Sequence, residues 1–269
     1  MFKNCLKKEI LEELRTKRFL RFVLISLGMV ILTLMIIGVM SLVSKMDLSD
    51  SIKDDQMSAL MPMFEPTFSN FSMYFGTFMM TYFNIVLIIM MMSVVSKEIS
   101  QNKWVLPLST GILPENIILA KLIVKTLSVV VAEILAIIVH FIFAITMFDA
   151  MPAFDILDLL TSYLGIILFT VFVSVLTISI NAVFKKGWVS AAISLTILIM
   201  GSTILEAIAV GGGTLICYTP LAFYEIAINP MVKLTTTHWL VSMGTWIVSL
   251  VLLVLLAISK CKIKPQKLK

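Results

Sequence analysis

The chain has 269 residues, of which 59% are hydrophobic and only 14% charged, with a formal net charge of +5 and a mean hydropathy of +1.05. So little polar surface cannot cover a water-soluble globule of this size, and that class is excluded. The expectation is an all-α integral membrane protein, a single transmembrane domain covering 1–269.

The amino terminus, FKNCLKKEILEELRTKRFLRF, places Phe2, Leu6, Ile10 and Leu14 at helical spacing among lysines and glutamates. Over 1–21 this predicts an amphipathic helix lying in the membrane interface; the alternative is a solvated lead-in. Six apolar runs follow, at about 22–44, 71–95, 122–147, 159–183, 188–210 and 239–259. Each matches the roughly 20 residues a helix needs to cross the hydrocarbon. None alternates with period two, and all exceed the length of a barrel strand. The first run is too long for a signal sequence and is expected to stay as an anchor. Its Gly28 and Gly38 read as helix-packing positions.

Six crossings place both termini on one side of the membrane. That side also holds residues 96–121, Lys125 at the edge of the third run and the Lys185–Lys186 pair, and with them 18 of the 21 basic residues. Lys45, Lys53 and Lys233 lie opposite, together with most of the acids, so the positive-inside rule makes the termini cytoplasmic. A basic inner face suits anionic lipid, and nothing in the sequence suggests nucleic acid. The three cysteines fit no disulfide framework.

Between the second and third runs, SKEISQNKWVLPLSTGILPENIILAK interrupts the oily sequence. Pro114 and Glu115 suit the first turn of a helix feeding into the third run. A plain connection needs only a few residues, so this stretch is either a loop without a partner or a surface that another protein touches. The form K-E-x(8)-P-L-S-x(5)-E-x(5)-K, following an amphipathic helix and set among six spans, resembles the permease subunits of ATP-binding cassette transporters of the second exporter type. Lys97 and Glu98 match the start of that family's segment, Leu106, Pro107, Leu108 and Ser109 its middle, and Pro114, Glu115 and Lys121 its end. Ser100, Gln101 and Asn102 stand where the family commonly has glycine and threonine. The resemblance implies that 96–121 is the cytoplasmic surface that sits on a separate ATPase. It also implies a second permease as partner, export or extraction from the membrane, and an external connection at 211–238 whose short helices re-enter the outer leaflet. A simple folded loop is the alternative for that connection, which follows a helix stop at Gly211–Gly213.

No catalytic constellation is present. There is no phosphate-binding G-x-x-x-x-G-K-[ST], so ATP and magnesium belong to the partner, and His140 and His238 have no zinc-type company. Within the spans lie Asn84, Glu133, His140 and Glu206. A carboxylate there must be protonated, paired or facing water. These groups either lock the bundle by bonding one another across helices or, in the sharper reading, Glu133 lines a substrate or ion path. Met73, Met79, Met80, Met90, Met91 and Met92 form an adaptable surface for greasy substrates or a partner permease, or else lipid-facing filler. A soft-metal site at Met57, Met61 and Met63 has no cysteine or histidine to support it. An apolar interior suits a hydrophobic or amphipathic cargo, such as an antimicrobial peptide. An ion-driven carrier and a non-transporting scaffold or sensor remain the other classes. A composition rich in lysine and isoleucine, with three arginines, points to the plasma membrane of a low-GC bacterium.

Overall fold

The computed structural model describes residues 2–45, 65–148, 156–208, 216–228 and 235–260; the side chains of 43–45, Leu106 and 202–208 lie outside that description. Met57, Met61, Met63 and Gly211–Gly213 also lie outside the described residues. Among the described residues every regular element is helical. They are α1 (Phe2–Arg15), α2 (Arg18–Lys45), α3 (Phe68–Thr77), a π-helical segment (Phe78–Phe83), α4 (Asn84–Met91), α5 (Ser96–Ser100), α6 (Val105–Ser109), α7 (Pro114–Met147), α8 (Ile156–Phe184), α9 (Gly187–Ile208), a 3-10 turn (Ile216–Tyr218), α10 (Ala222–Ile228) and α11 (Thr236–Lys260).

Among the described residues five helical stretches are long and apolar enough to cross a membrane: α2, the run from α3 to α5, α7, α8 and α11. The remaining expected crossing coincides with α9, 22 residues long, whose residues 187–201 form an apolar helix. The sequence placed the start of the third run at residue 122, but α7 begins at Pro114 and continues unbroken. Pro114, Glu115 and Lys121 therefore belong to the helix itself.

The second run is not uniform. Thr67 caps α3 by accepting from the Asn70 amide, and the π-helical segment shifts the backbone ladder out of register six residues before α4. Asn84 answers that shift locally, since its Nδ2 donates to the carbonyls of Met79 and Met80 at 3.1 Å each. A polar residue in the span thus satisfies the carbonyls that a π-turn loosens. Met79, Met80 and Met91 are buried beside it, so these three pack the bundle and do not fill the lipid face.

Helix α8 is the hub: 78% of its most apolar window is buried, against 11% for α11. It touches α3, α4, α7, α9, α10 and α11. The 216–228 segment forms short helices seated in the bundle, with Leu221, Phe223 and Ile226 buried and Tyr224 half-buried. Two glycines make that seat. A Cβ on Gly76 would meet the Ala227 carbonyl oxygen at 1.9 Å, and one on Gly165 would meet the Phe223 carbonyl oxygen at 2.8 Å. Ser162 donates to the Ala227 carbonyl at 3.2 Å, and Thr245 donates to that of Tyr218 at 3.0 Å. In contrast, nothing lies within 4 Å of a Cβ added at Gly28 or Gly38. Among the described residues no neighbour packs against these two positions.

Candidate functional site

The charged stretch between α4 and α7 is an ordered pair of short helices. Its first break falls after Met91, and the amides exposed there are met by α8: Asn181 Oδ1 accepts from the amides of Val95 and Ser96 at 2.9 Å each. Asn181 Nδ2 donates to Ser96 Oγ at 3.2 Å. A side chain 85 residues away therefore does what a local N-cap does for a helix start. Asn102, with φ 54°, and Gly111, with φ 81°, reverse the chain on either side of α6. Asparagine tolerates the left-handed region better than most residues, so Asn102 supports a turn that would otherwise favour glycine. Leu113 is extended and Pro114 opens α7 with Glu115 in its first turn, where a missing amide hydrogen and a negative charge both fit.

Beneath these turns lies a buried ionic junction. Lys121 Nζ donates to Glu9 Oε1 at 2.8 Å and to Glu98 Oε1 at 2.5 Å. One turn along α7, Lys125 pairs with Glu13. Trp104 Nε1 donates to the other Glu98 oxygen at 2.9 Å. All six residues are at most 5% exposed. The carboxylates of Glu9, Glu12 and Glu98 approach one another within 4.8 Å, and the Lys121 ammonium supplies the cation that such a cluster requires. Since 9 pairs with 121 and 13 with 125, α1 and the start of α7 run in the same direction at that contact. The apolar row of α1 points the other way: Phe2, Ile10 and Leu14 are exposed and Leu6 is half-buried. The buried glutamates rule out a freely solvated lead-in.

The sequence-predicted surface divides accordingly. Lys97 and Ser109 are exposed, and Pro107, Leu108, Pro114 and Glu115 are half-buried. Leu106 is in α6, with its side chain outside the described residues. Glu98 and Lys121 face inward and are buried. Between α1 and the turns runs an open cleft of about 1040 Å³, lined by Lys7, Lys8, Arg15, Lys103, Pro107 and Ile112 among others.

The intramembrane candidates do not converge on one another. His140 is stacked between Phe71 and Phe75 at ring separations of 4.3 and 4.0 Å, and its Nδ1 hydrogen-bonds the Tyr163 hydroxyl at 2.7 Å. It locks α7 to α8. Asn84 bonds within its own helix. Glu133 is fully buried, with Thr170 of α8 beside it and no lysine or arginine paired with it among the described residues. Glu206 is in α9, with its side chain outside the described residues.

Sequence reasoning missed Glu9, Glu13, Trp104, Lys125 and Asn181. The signal for three of them was present: Glu9 and Glu13 on one helix, and Lys125 with Lys121 on another, share the i, i+4 spacing of a charge zipper. Compared with known proteins, the chain matches no protein-family model and no curated sequence.

Proposed function

We propose that this chain is the transmembrane subunit of an ATP-driven exporter, crossing the bacterial plasma membrane six times with both termini in the cytoplasm. Separate ATPase subunits supply ATP and magnesium, and a second permease, identical or related, completes the complex. The observation that carries this reading is the ionic junction. The exposed turns at 96–112 are tied through Glu98 and Lys121 to both α1 and α7 and through Asn181 to the hub helix. A displacement of these turns by a partner therefore moves three long helices and not a loop alone. The basic cleft beside them offers an acidic protein surface a place to sit. The exposed apolar row of α1 fits the cytoplasmic interface, and the hydrophobic character of the chain suits a hydrophobic or amphipathic cargo, such as a peptide. The ion-driven carrier is favoured by one feature alone, the unpaired Glu133.

A pull-down of the tagged chain from its native membrane tests the reading. The wild type is expected to bring down an ATPase containing the phosphate-binding motif. Lys103→Glu combined with Pro107→Ala, which alters the surface without touching the buried pairs, is expected to lose it. Absence of any ATPase under conditions that keep complexes intact contradicts the reading.

A further inference from the structure

The elbow between α1 and α2 gathers every arginine of the chain: Arg15, Arg18 and Arg21, with Lys17 among them. Its backbone is fixed. The Thr16 amide and hydroxyl both donate to the Glu12 carbonyl, at 2.9 and 2.7 Å, and Lys17 turns the chain at φ 54°. Arg21 Nη2 donates to the Thr16 carbonyl at 3.4 Å, which holds the first turn of α2 against the bend. Lys17 and Arg21 are exposed and Arg18 is half-buried.

Four like charges so close need a counter-charge, and among the described residues no carboxylate pairs with any of them. The nearest acids are committed elsewhere: Glu13 is held by Lys125, and Glu12 lines the basic cleft together with Arg15. Other lysines are unpaired as well, but Lys7, Lys8 and Lys103 line that same cleft. What is particular to the elbow is the apolar groove that ends on it. This groove, of about 330 Å³, runs between α1 and α7, and Leu14 and Phe19, which bracket the elbow in the chain, line it with Ile10, Ile123, Leu127 and Val131. Its polar lining is already satisfied. Glu13 is neutralised by Lys125, and the Ser128 hydroxyl closes onto the Val124 carbonyl at 2.8 Å.

A phosphate is held best by cationic donors, above all by the planar fork of arginine. An alkyl chain is held by a slot that asks for no hydrogen bond. We propose that the elbow and the groove together bind one anionic glycerophospholipid of the surrounding membrane. Its phosphate sits on Lys17, Arg18 and Arg21, and the upper part of one acyl chain lies between α1 and α7. A basic recess where an interfacial helix turns into a span suits an anionic headgroup. A free phosphate leaves the groove bare, and an acidic peptide is better matched by the polar cleft. The lipid then pins α1 against α7 beside the ionic junction. The inference rests on the elbow lying at a membrane surface and is independent of the ATPase partner.

The test is native mass spectrometry, with thermal unfolding, of the full chain purified in a neutral detergent and titrated with phosphatidylglycerol, phosphatidylcholine or inorganic phosphate. Phosphatidylglycerol is expected to bind saturably at one equivalent and to raise the unfolding midpoint, while the other two do neither. Each basic residue beside an anionic headgroup contributes about fivefold in affinity, so Lys17→Gln, Arg18→Gln and Arg21→Gln together are expected to weaken binding roughly a hundredfold. The same number of charges removed from exposed positions elsewhere, by Lys185→Gln, Lys186→Gln and Lys260→Gln, is expected to change it little. Ser128→Phe, which fills the groove, is expected to weaken binding while the elbow is intact. Equal losses in the two triple variants, equal binding of phosphatidylcholine, or an equal midpoint shift from inorganic phosphate overturns the proposal, as does unchanged affinity in Ser128→Phe. Should Ser128→Phe not fold, the elbow variant, which alters no buried side chain, decides alone.

Discussion

Replacing Lys121 by methionine is expected to destabilise the protein by roughly 3–5 kcal/mol, the usual consequence of removing one partner from a buried ion pair. The ammonium meets two carboxylates at once, and a third lies within 4.8 Å of them. Without it, negative charges face one another in a region closed to water. The damage is expected to be local before it is global. Thermal unfolding in detergent should show a lowered midpoint, and limited proteolysis should cut within 96–112 well below it. Adding Glu98→Gln and Glu9→Gln to Lys121→Met should recover part of the loss, because groups in one network do not contribute additively. The exposed neighbour Lys97 supplies the control, since Lys97→Met should change little.

The second large effect is expected at Gly76. An alanine there drives a methyl group to 1.9 Å from the Ala227 carbonyl oxygen and 2.9 Å from its carbon. Both are backbone atoms, so no side-chain rotation relieves the contact and α10 must move as a body. Overpacking of this kind costs about 1–3 kcal/mol. Gly28→Ala is the comparison, because its Cβ meets nothing and alanine favours a helix over glycine by up to about 1 kcal/mol. Paired thermal midpoints should therefore move in opposite directions.

The two glycine cases show where the sequence was readable and where it was not. The apolar runs announced the long helices, since length and hydropathy are local properties, although α7 begins eight residues before its run. A proline followed by glutamate announced the start of α7 for the same reason. Which glycine is a notch depends on the element that approaches it, and nothing near Gly76, Gly165, Gly28 or Gly38 in the chain carries that information. The ionic junction lies between these extremes. Its residues were visible as charges, and the stretch from 96 to 121 stood out, but Glu9 and Lys121 are 112 residues apart. Burial turned two residues assigned to the surface, Glu98 and Lys121, into internal struts. Asn181 was silent because a lone asparagine near the end of a run gives no hint that it caps another helix.

In the proposed exporter these parts form a lever. The surface that would receive the ATPase is made of Lys97, Lys103, Pro107, Ser109 and the basic face of α1. The parts that carry its movement inward are Glu98, Lys121, Glu9 and Asn181. Substitution of the first group should weaken association while leaving the fold intact, and substitution of the second should loosen the fold whether or not a partner is present.

The most direct measurement places a photoreactive amino acid at Ser109, which is exposed on α6, and irradiates cells expressing the tagged chain. The same amino acid at Leu240, exposed on α11, serves as the reference. Capture of an ATPase subunit from position 109 and not from 240 is the predicted result. Capture of no ATPase from 109, or equal capture from both positions, contradicts the account.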